Sequence, residues 1–230
     1  MTQLIVAATF FVLLHLLVSG TRLRSLITGV IGEGPYMGLF SLASLGGLAW
    51  LGFAYAVARG APDDVDLWAL SIETRWIAVG LAALGFLFIV TGVMTRNPTS
   101  VRGEGALADP DVAKGILRIT RHPFLWGVAF WAAAHVLANG DVASLILFGS
   151  LLALALLGPP SIDAKRARAM GDQWTAFAAR TSNIPFAAIL AGRQSLKLGE
   201  IGLEKILIAV VVFAAVLWVH PKLFGVYPLG

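Results

Sequence analysis

Residues 114–140 read KGILRITRHPFLWGVAFWAAAHVLANG, and the character of the whole chain follows from them. Arg121, His122 and Pro123 stand together at the entrance to a run, Pro123–Ala138, that carries no charged residue. Proline is at home in the first turn of a helix, where its missing N–H has no intrahelical carbonyl to bond. A helix beginning there rises about 20 Å over the thirteen residues from His122 to His135. That spacing places His122 near a membrane surface and His135 well inside the hydrocarbon, where an imidazole needs a partner. Asn139-Gly140-Asp141 then forms a tight turn, and Val142–Leu157 returns as the antiparallel neighbour.

The same pattern extends outward in both directions. The 230 residues are 58% hydrophobic and only 13% charged, with a mean hydropathy of +0.83. Apolar runs of roughly 20 residues suit the thickness of a bilayer core. The expected spans are Leu4–Thr21, Tyr36–Ala58, Arg75–Met94, Pro123–Ala138, Val142–Leu157 and Leu203–Val219. Gly32, Gly34 and Pro35 mark the first firm break, and small residues along Tyr36–Ala58 suit close helix approach in lipid. Pro110 is placed to open a short helix carrying Lys114 and Arg118 towards the fourth span. Pro159-Pro160 is expected to end the fifth. Residues 161–182, with Ile162, Met170, Trp174 and Phe177 on one face between basic residues, then read as an interfacial amphipathic helix. The fold class is all-α: a polytopic integral membrane bundle of about six transmembrane helices plus a cytoplasmic amphipathic helix, forming one domain over residues 1–230.

Of the 17 Lys and Arg residues, 14 lie in the first, third and fifth loops. The positive-inside tendency puts those loops in the cytoplasm and both termini in the periplasm of a bacterial inner membrane. It also accounts for the net charge of +4 without a nucleic-acid partner. With no cysteine, disulfides, thiolate catalysis and iron–sulfur ligation are excluded. No Ser-His-Asp arrangement, Walker loop or glycine fingerprint is present. The expected partners are membrane lipids and an apolar small-molecule or lipid-like substrate; the oligomeric state is not legible.

His15 and His135 are the two histidines within apolar helices. Without in-span Cys, Asp or Glu they make a poor zinc or di-iron site, since those metals take three or four protein ligands. A six-coordinate haem b needs only two, because the porphyrin supplies four nitrogens. The bland alternative is that each imidazole bonds a neighbouring helix and binds nothing. Depth complicates the pairing: His15 lies about 10 Å from the cytoplasmic edge and His135 about 20 Å. His122 is therefore a rival partner for His15. Arg118, Arg121 and His122 form a cationic mouth suited to a phosphate, a carboxylate or a haem propionate, or are ordinary positive-inside residues. His220, beside Pro221, reads as an interface residue.

Several motifs carry a resemblance. HLLVSGTRLR (15–24), NPTSV (97–101), GILRITRHPFLWG (115–127), AHVLANG (134–140), IDAKRARAMGDQWTAFAARTSNIPF (162–186) and WVHPKLFGV (218–226) together resemble the NnrU family. That family is associated with nitrite and nitric oxide reduction in denitrifying bacteria. It is related to the 15-cis-zeta-carotene isomerases, membrane enzymes that use haem b to isomerise a central cis double bond in a redox-dependent way. The resemblance implies haem ligation by His15 and His135 as the catalytic and metal-binding pair, with Arg118, Arg121 and His122 near the cofactor. It leaves open a non-enzymatic haem-binding or assembly role in denitrification. Arg121-His122-Pro123, Gly127, Gly171, Trp174 and Phe177 also resemble, more distantly, membrane methyltransferases of prenylcysteine or phospholipid amines. Those carry an acidic pair where this chain has only Asp163, which weakens a role for S-adenosylmethionine.

Overall fold

The computed structural model describes residues 1–229, and among them the fold is all-helical. The helices are α1 (Thr2–Leu13), α2 (Arg22–Ile31), α3 (Glu33–Ala58), α4 (Ile72–Val93), α5 (Pro123–Asn139), α6 (Val142–Arg180), α7 (Ala187–Leu190) and α8 (Leu203–Phe224). A π-helical segment, Leu14–Ser19, extends α1. It stops at Gly20, and the Thr21 hydroxyl caps α2 through the Leu23 amide. Five helices are long and apolar enough to cross a bilayer: α1 with its π extension, α3, α4, α6 and α8. The residues of the expected span Pro123–Ala138 form α5, whose 17 residues leave it outside that set of five.

Many large apolar side chains face outward. Leu42 is 68% exposed and Trp218 70% exposed, an inversion that lipid tails, not water, make favourable. Small residues fill the helix contacts instead. A Cβ on Gly127 of α5 would lie 2.6 Å from the Ile89 amide nitrogen and 2.7 Å from the Gly85 carbonyl of α4. Backbone contact of this closeness is how helices associate in lipid. The glycines of α3 do not do this: Gly38, Gly46 and Gly52 face open space, and only Gly47 is in contact, with the Phe10 ring.

Two packed cores result. Leu4, Ala7, Ala8 and Phe11 of α1 meet Leu51, Ala54 and Ala58 of α3 and Ala143 of α6. At the basic end, Phe88, Ile116, Leu117, Ile119, Trp174, Phe177 and Ile201 fold the connection after α4 against the far half of α6. Met1 pairs with Asp63 and the Asp64 carboxylate accepts from the Ala143 amide, so α1 and α6 start level and run parallel. Gly20 meets Ser161 at their other end, with 3.1 Å between the Ser161 hydroxyl and the Gly20 carbonyl.

Two expectations need correction. Pro159 and Pro160 lie inside α6, not at its end. Each removes one helical hydrogen bond, but membrane helices tolerate this where neighbouring groups cover the freed carbonyls. The expected amphipathic helix is thus a continuation of the fifth span, and the break falls at Gly171, whose φ of 52° favours glycine. Pro110 opens no helix either. The connection makes two short 3₁₀ turns, Glu104–Ala108 and Gly115–Arg118.

Candidate functional site

The basic end is organised by a single carboxylate. Asp163 of α6 accepts from Arg121 Nε at 3.0 Å, from an Arg121 terminal nitrogen at 2.5 Å and from His122 Nε2 at 2.7 Å. Its acceptor-only oxygens match the planar guanidinium fork and leave one lone pair for the imidazole. The peptide carrying these donors is fixed as well. The Arg121 amide donates to the Ser182 carbonyl, and its own carbonyl accepts from Asn97 Nδ2 and the Thr99 hydroxyl. His122 is only 2% exposed. Burial pushes its imidazole below the ordinary value and the Asp163 hydrogen bond opposes this. The Asp163 carboxylate only accepts, so His122 Nε2–H donates to it.

Arg118 belongs to a different cluster. It forms a two-nitrogen fork on Glu200, at 2.6 and 2.9 Å, and also donates to Gln194. The Arg118 hydrogen bond, and then the Gly115 amide, hold the Glu200 carboxyl down to about 2. The three-residue cationic mouth is thus divided, each arginine facing its own carboxylate. A third clamp joins Arg166 of α6 to Glu104 and to the Ser100 carbonyl.

The membrane histidines share one arrangement. His15 Nδ1 lies 2.8 Å from the Phe11 carbonyl, His135 Nδ1 2.8 Å from the Trp131 carbonyl, and His220 Nδ1 3.0 Å from the Val226 carbonyl. A carbonyl only accepts, so the proton is on Nδ1 and each Nε2 presents a lone pair. That is the state a metal-ligating histidine requires, with its other nitrogen held by a backbone oxygen. Taken singly, His15 and His135 both have the donor chemistry of a haem ligand. His15 sits in the π segment, against the rings of Phe11 and Phe40. His135 lies against Trp131 and Phe148, each with ring centres 4.6 Å away.

Counted along their helices, these two histidines stand at different levels. Phe148, the neighbour of His135, is thirteen residues before Ser161 on α6, whereas His15 is five residues before Gly20 on the parallel α1. At helical rise, His15 and His135 differ in level by about 12 Å. The neighbour of His135 is another histidine, His220 of α8, with ring centres 6.5 Å apart.

The model of the NnrU family, described as NnrU protein, matches residues 3–228. The chain belongs to the NnrU family. Two curated relatives are the chloroplastic 15-cis-zeta-carotene isomerases of Arabidopsis thaliana and Zea mays. The Arabidopsis protein is 33% identical over 179 residues, covering 76% of this chain and 47% of the relative. The maize protein is 38% identical over 172 residues, covering 73% and 45%. This NnrU-family chain therefore spans about half the length of the curated relatives it matches. No solved structure matches it.

Three features of the site were missed in the sequence. Asp163 stands 42 residues beyond Arg121, and the sequence marks it only as the acid where the methyltransferases carry a pair, not as the partner of Arg121 and His122. Asn97 and Thr99 belong to a motif that had no assigned role. His220 was read only by its place at a helix end.

Proposed function

We propose that this chain is a membrane-embedded cis–trans isomerase acting on an apolar polyene of the carotenoid class, with haem b as its cofactor. The observation that carries this reading is the identity to two 15-cis-zeta-carotene isomerases over about three-quarters of the chain. The bundle suits such a substrate. A hydrocarbon polyene offers no hydrogen-bonding group, and the apolar stretches of the spanning helices, residues 142–162 in α6, carry no Asp, Glu, Lys or Arg.

Among the described residues no group of three His, Cys, Asp or Glu could hold a metal ion. Haem needs fewer protein ligands, and His135 has the tautomer and the aromatic surroundings to be one. Haem iron, when bound, would supply a redox-switchable centre whose electronics the protein ligands tune. The chain's own residues orient the ligand imidazole through Trp131, exclude water with Trp131 and Phe148, and clamp the basic end through Asp163. His15 and His135, each with Nδ1 held by a backbone carbonyl, are the residues that would hold the haem. The basic end is proposed to face the cytoplasm of a bacterial inner membrane, with both termini periplasmic, in line with the distribution of Lys and Arg.

The test is incubation of the purified, haem-loaded protein with 15-cis-zeta-carotene, oxidised and dithionite-reduced, followed by isomer-resolving chromatography. Loss of the 15-cis isomer in one redox state supports the proposal. A chain that binds haem and leaves the carotene unchanged in both states would instead fit the non-enzymatic haem-binding role.

A further inference from the structure

We propose that Arg24 of α2, with Lys165 and Arg168 of α6, binds the phosphate of an anionic phospholipid, and that α2 lies in the membrane surface beside that site. The proposal does not depend on the haem reading. It starts from the charges left over at the basic end. Arg118, Arg121 and Arg166 each face a carboxylate, Glu200, Asp163 and Glu104 in turn. Among the described residues, Lys165 and Arg168 have no carboxylate within ion-pair distance. Lys165 is half-buried, and the charges that act on it are Arg24, Arg168 and one acid, Glu33. Glu33 is already bonded to Arg24. Three cations therefore share a single carboxylate.

The fold explains how they meet. A Cβ on Gly20 would lie 2.7 Å from the Ser161 hydroxyl, so α1 and α6 touch there. Ser161, Lys165 and Arg168 are spaced four and three residues apart, which is one helix face. The face that meets Gly20 thus presents Lys165 one turn later, while Arg24 stands in the first turn of α2. The apolar stretch of α6 ends at residue 162. Lys165 lies about 5 Å beyond it at helical rise, the depth of lipid headgroups. The second, independent observation is α2 itself. Leu23, Leu26, Ile27, Val30 and Ile31 fall within an arc of about 140°, with Arg22, Ser25 and Thr28 on the other side. Leu26 is 68% exposed and Val30 86%. At ten residues α2 is about 15 Å long, too short to cross and suited to lie in the interface. Arg24 is folded back over the Tyr36 ring, at 5.3 Å, and the enclosed Tyr36 hydroxyl has no hydrogen-bond partner. A phosphodiester brings acceptor oxygens, one negative charge and acyl chains, which match the three cations and the apolar stripe together. A choline headgroup would add a fixed positive charge among those cations.

The experiment adds phosphatidylglycerol, phosphatidylcholine or inorganic phosphate to the full-length chain in detergent. Bound lipid is counted by native mass spectrometry, and stabilisation is read from the thermal midpoint. Wild type is expected to retain phosphatidylglycerol in preference to phosphatidylcholine. Each basic residue near an anionic surface contributes roughly fivefold, so Lys165→Gln with Arg168→Gln should weaken that retention by about tenfold or more. Arg96→Gln with Arg102→Gln, which removes two exposed charges from the same end, should leave it within about twofold. An unchanged midpoint in phosphatidylcholine shows that both double variants fold. The position of α2 is read with Val30→Cys carrying an environment-sensitive dye in phosphatidylglycerol nanodiscs, where emission quenched by lipids brominated near the headgroup is expected. Equal retention of the two lipids, equal losses in the two double variants, or stabilisation by inorganic phosphate alone as large as by the lipid overturns the site. A dye quenched only from water overturns the placement of α2.

Discussion

Replacing Asp163 by alanine tests whether the basic end is a clamp or a docking point. Asp163 has its side chain 17% exposed, Arg121 14% and His122 1%. Removing the carboxylate leaves a largely enclosed guanidinium with no anion and an imidazole N–H with no acceptor. Breaking one side of a buried ion pair costs about 3–5 kcal/mol, because the stranded charge keeps its desolvation penalty. The partial exposure argues for the low end, about 3 kcal/mol. For a chain of this length each kcal/mol moves the unfolding midpoint by roughly 2–4 °C, so Asp163→Ala should lower Tm by roughly 6–12 °C. Asp163→Asn, which keeps the shape and one acceptor oxygen, should lose less. Thermal unfolding in detergent, followed by tryptophan emission, reads both. In a double-mutant cycle Arg121→Ala should cost little once Asp163 is absent. A midpoint within 1 °C of wild type for Asp163→Ala, or full additivity in the cycle, would refute the clamp.

Gly127→Ala forces a methyl against the Ile89 amide and the Gly85 carbonyl, both backbone atoms. Such overpacking should cost about 1–3 kcal/mol, visible as a lowered midpoint in the same unfolding experiment. Glu200 titrates at about 2 against an ordinary 4.5. Its folded value is depressed, so its stabilisation is complete above the unfolded pKa and is lost as pH falls from about 4.5 towards about 2. Glu200→Gln should therefore lower Tm at neutral pH and flatten its fall over that acid window. The chain has no cysteine, so single introduced thiols report topology without background. Arg102→Cys should react with an impermeant maleimide only after the cytoplasmic face is exposed, and Val65→Cys from the periplasmic side in closed cells.

The membrane class and the helix positions were legible because hydropathy and breaker residues act locally. Gly140 illustrates this. It ends α5 at φ 83°, and the Trp68 carbonyl lies 2.6 Å from where a Cβ would stand, so only glycine fits. Pro159-Pro160 misled because the rule that proline ends a helix assumes water around the freed carbonyls. In a bundle, packing holds the helix through them, with Pro159 among its most deeply buried side chains. Gly171, marked in sequence only by the methyltransferase likeness, carries the break.

The histidines show where local reading runs out. Spacing along a helix gives the depth of a side chain, and the depths inferred for His15 and His135 already differed by about 10 Å. The folded chain keeps that difference, because α1 and α6 are tied at both ends, by Met1 with Asp63 beside Ala143 and by Gly20 with Ser161. Depth alone cannot say which helix end arrives beside His135. That depends on α4, whose glycine-lined contact with α5 on one side and packing with α8 on the other bring residues 135 and 220 together across 85 positions of sequence. A contact set by a shared packing partner is robust to changes along either histidine's own helix but sensitive to the spacing of α4. Widening the α4–α5 contact through Gly127→Ala should therefore shift His135 against His220, read as a change in the imidazole resonances of either, although it touches neither histidine.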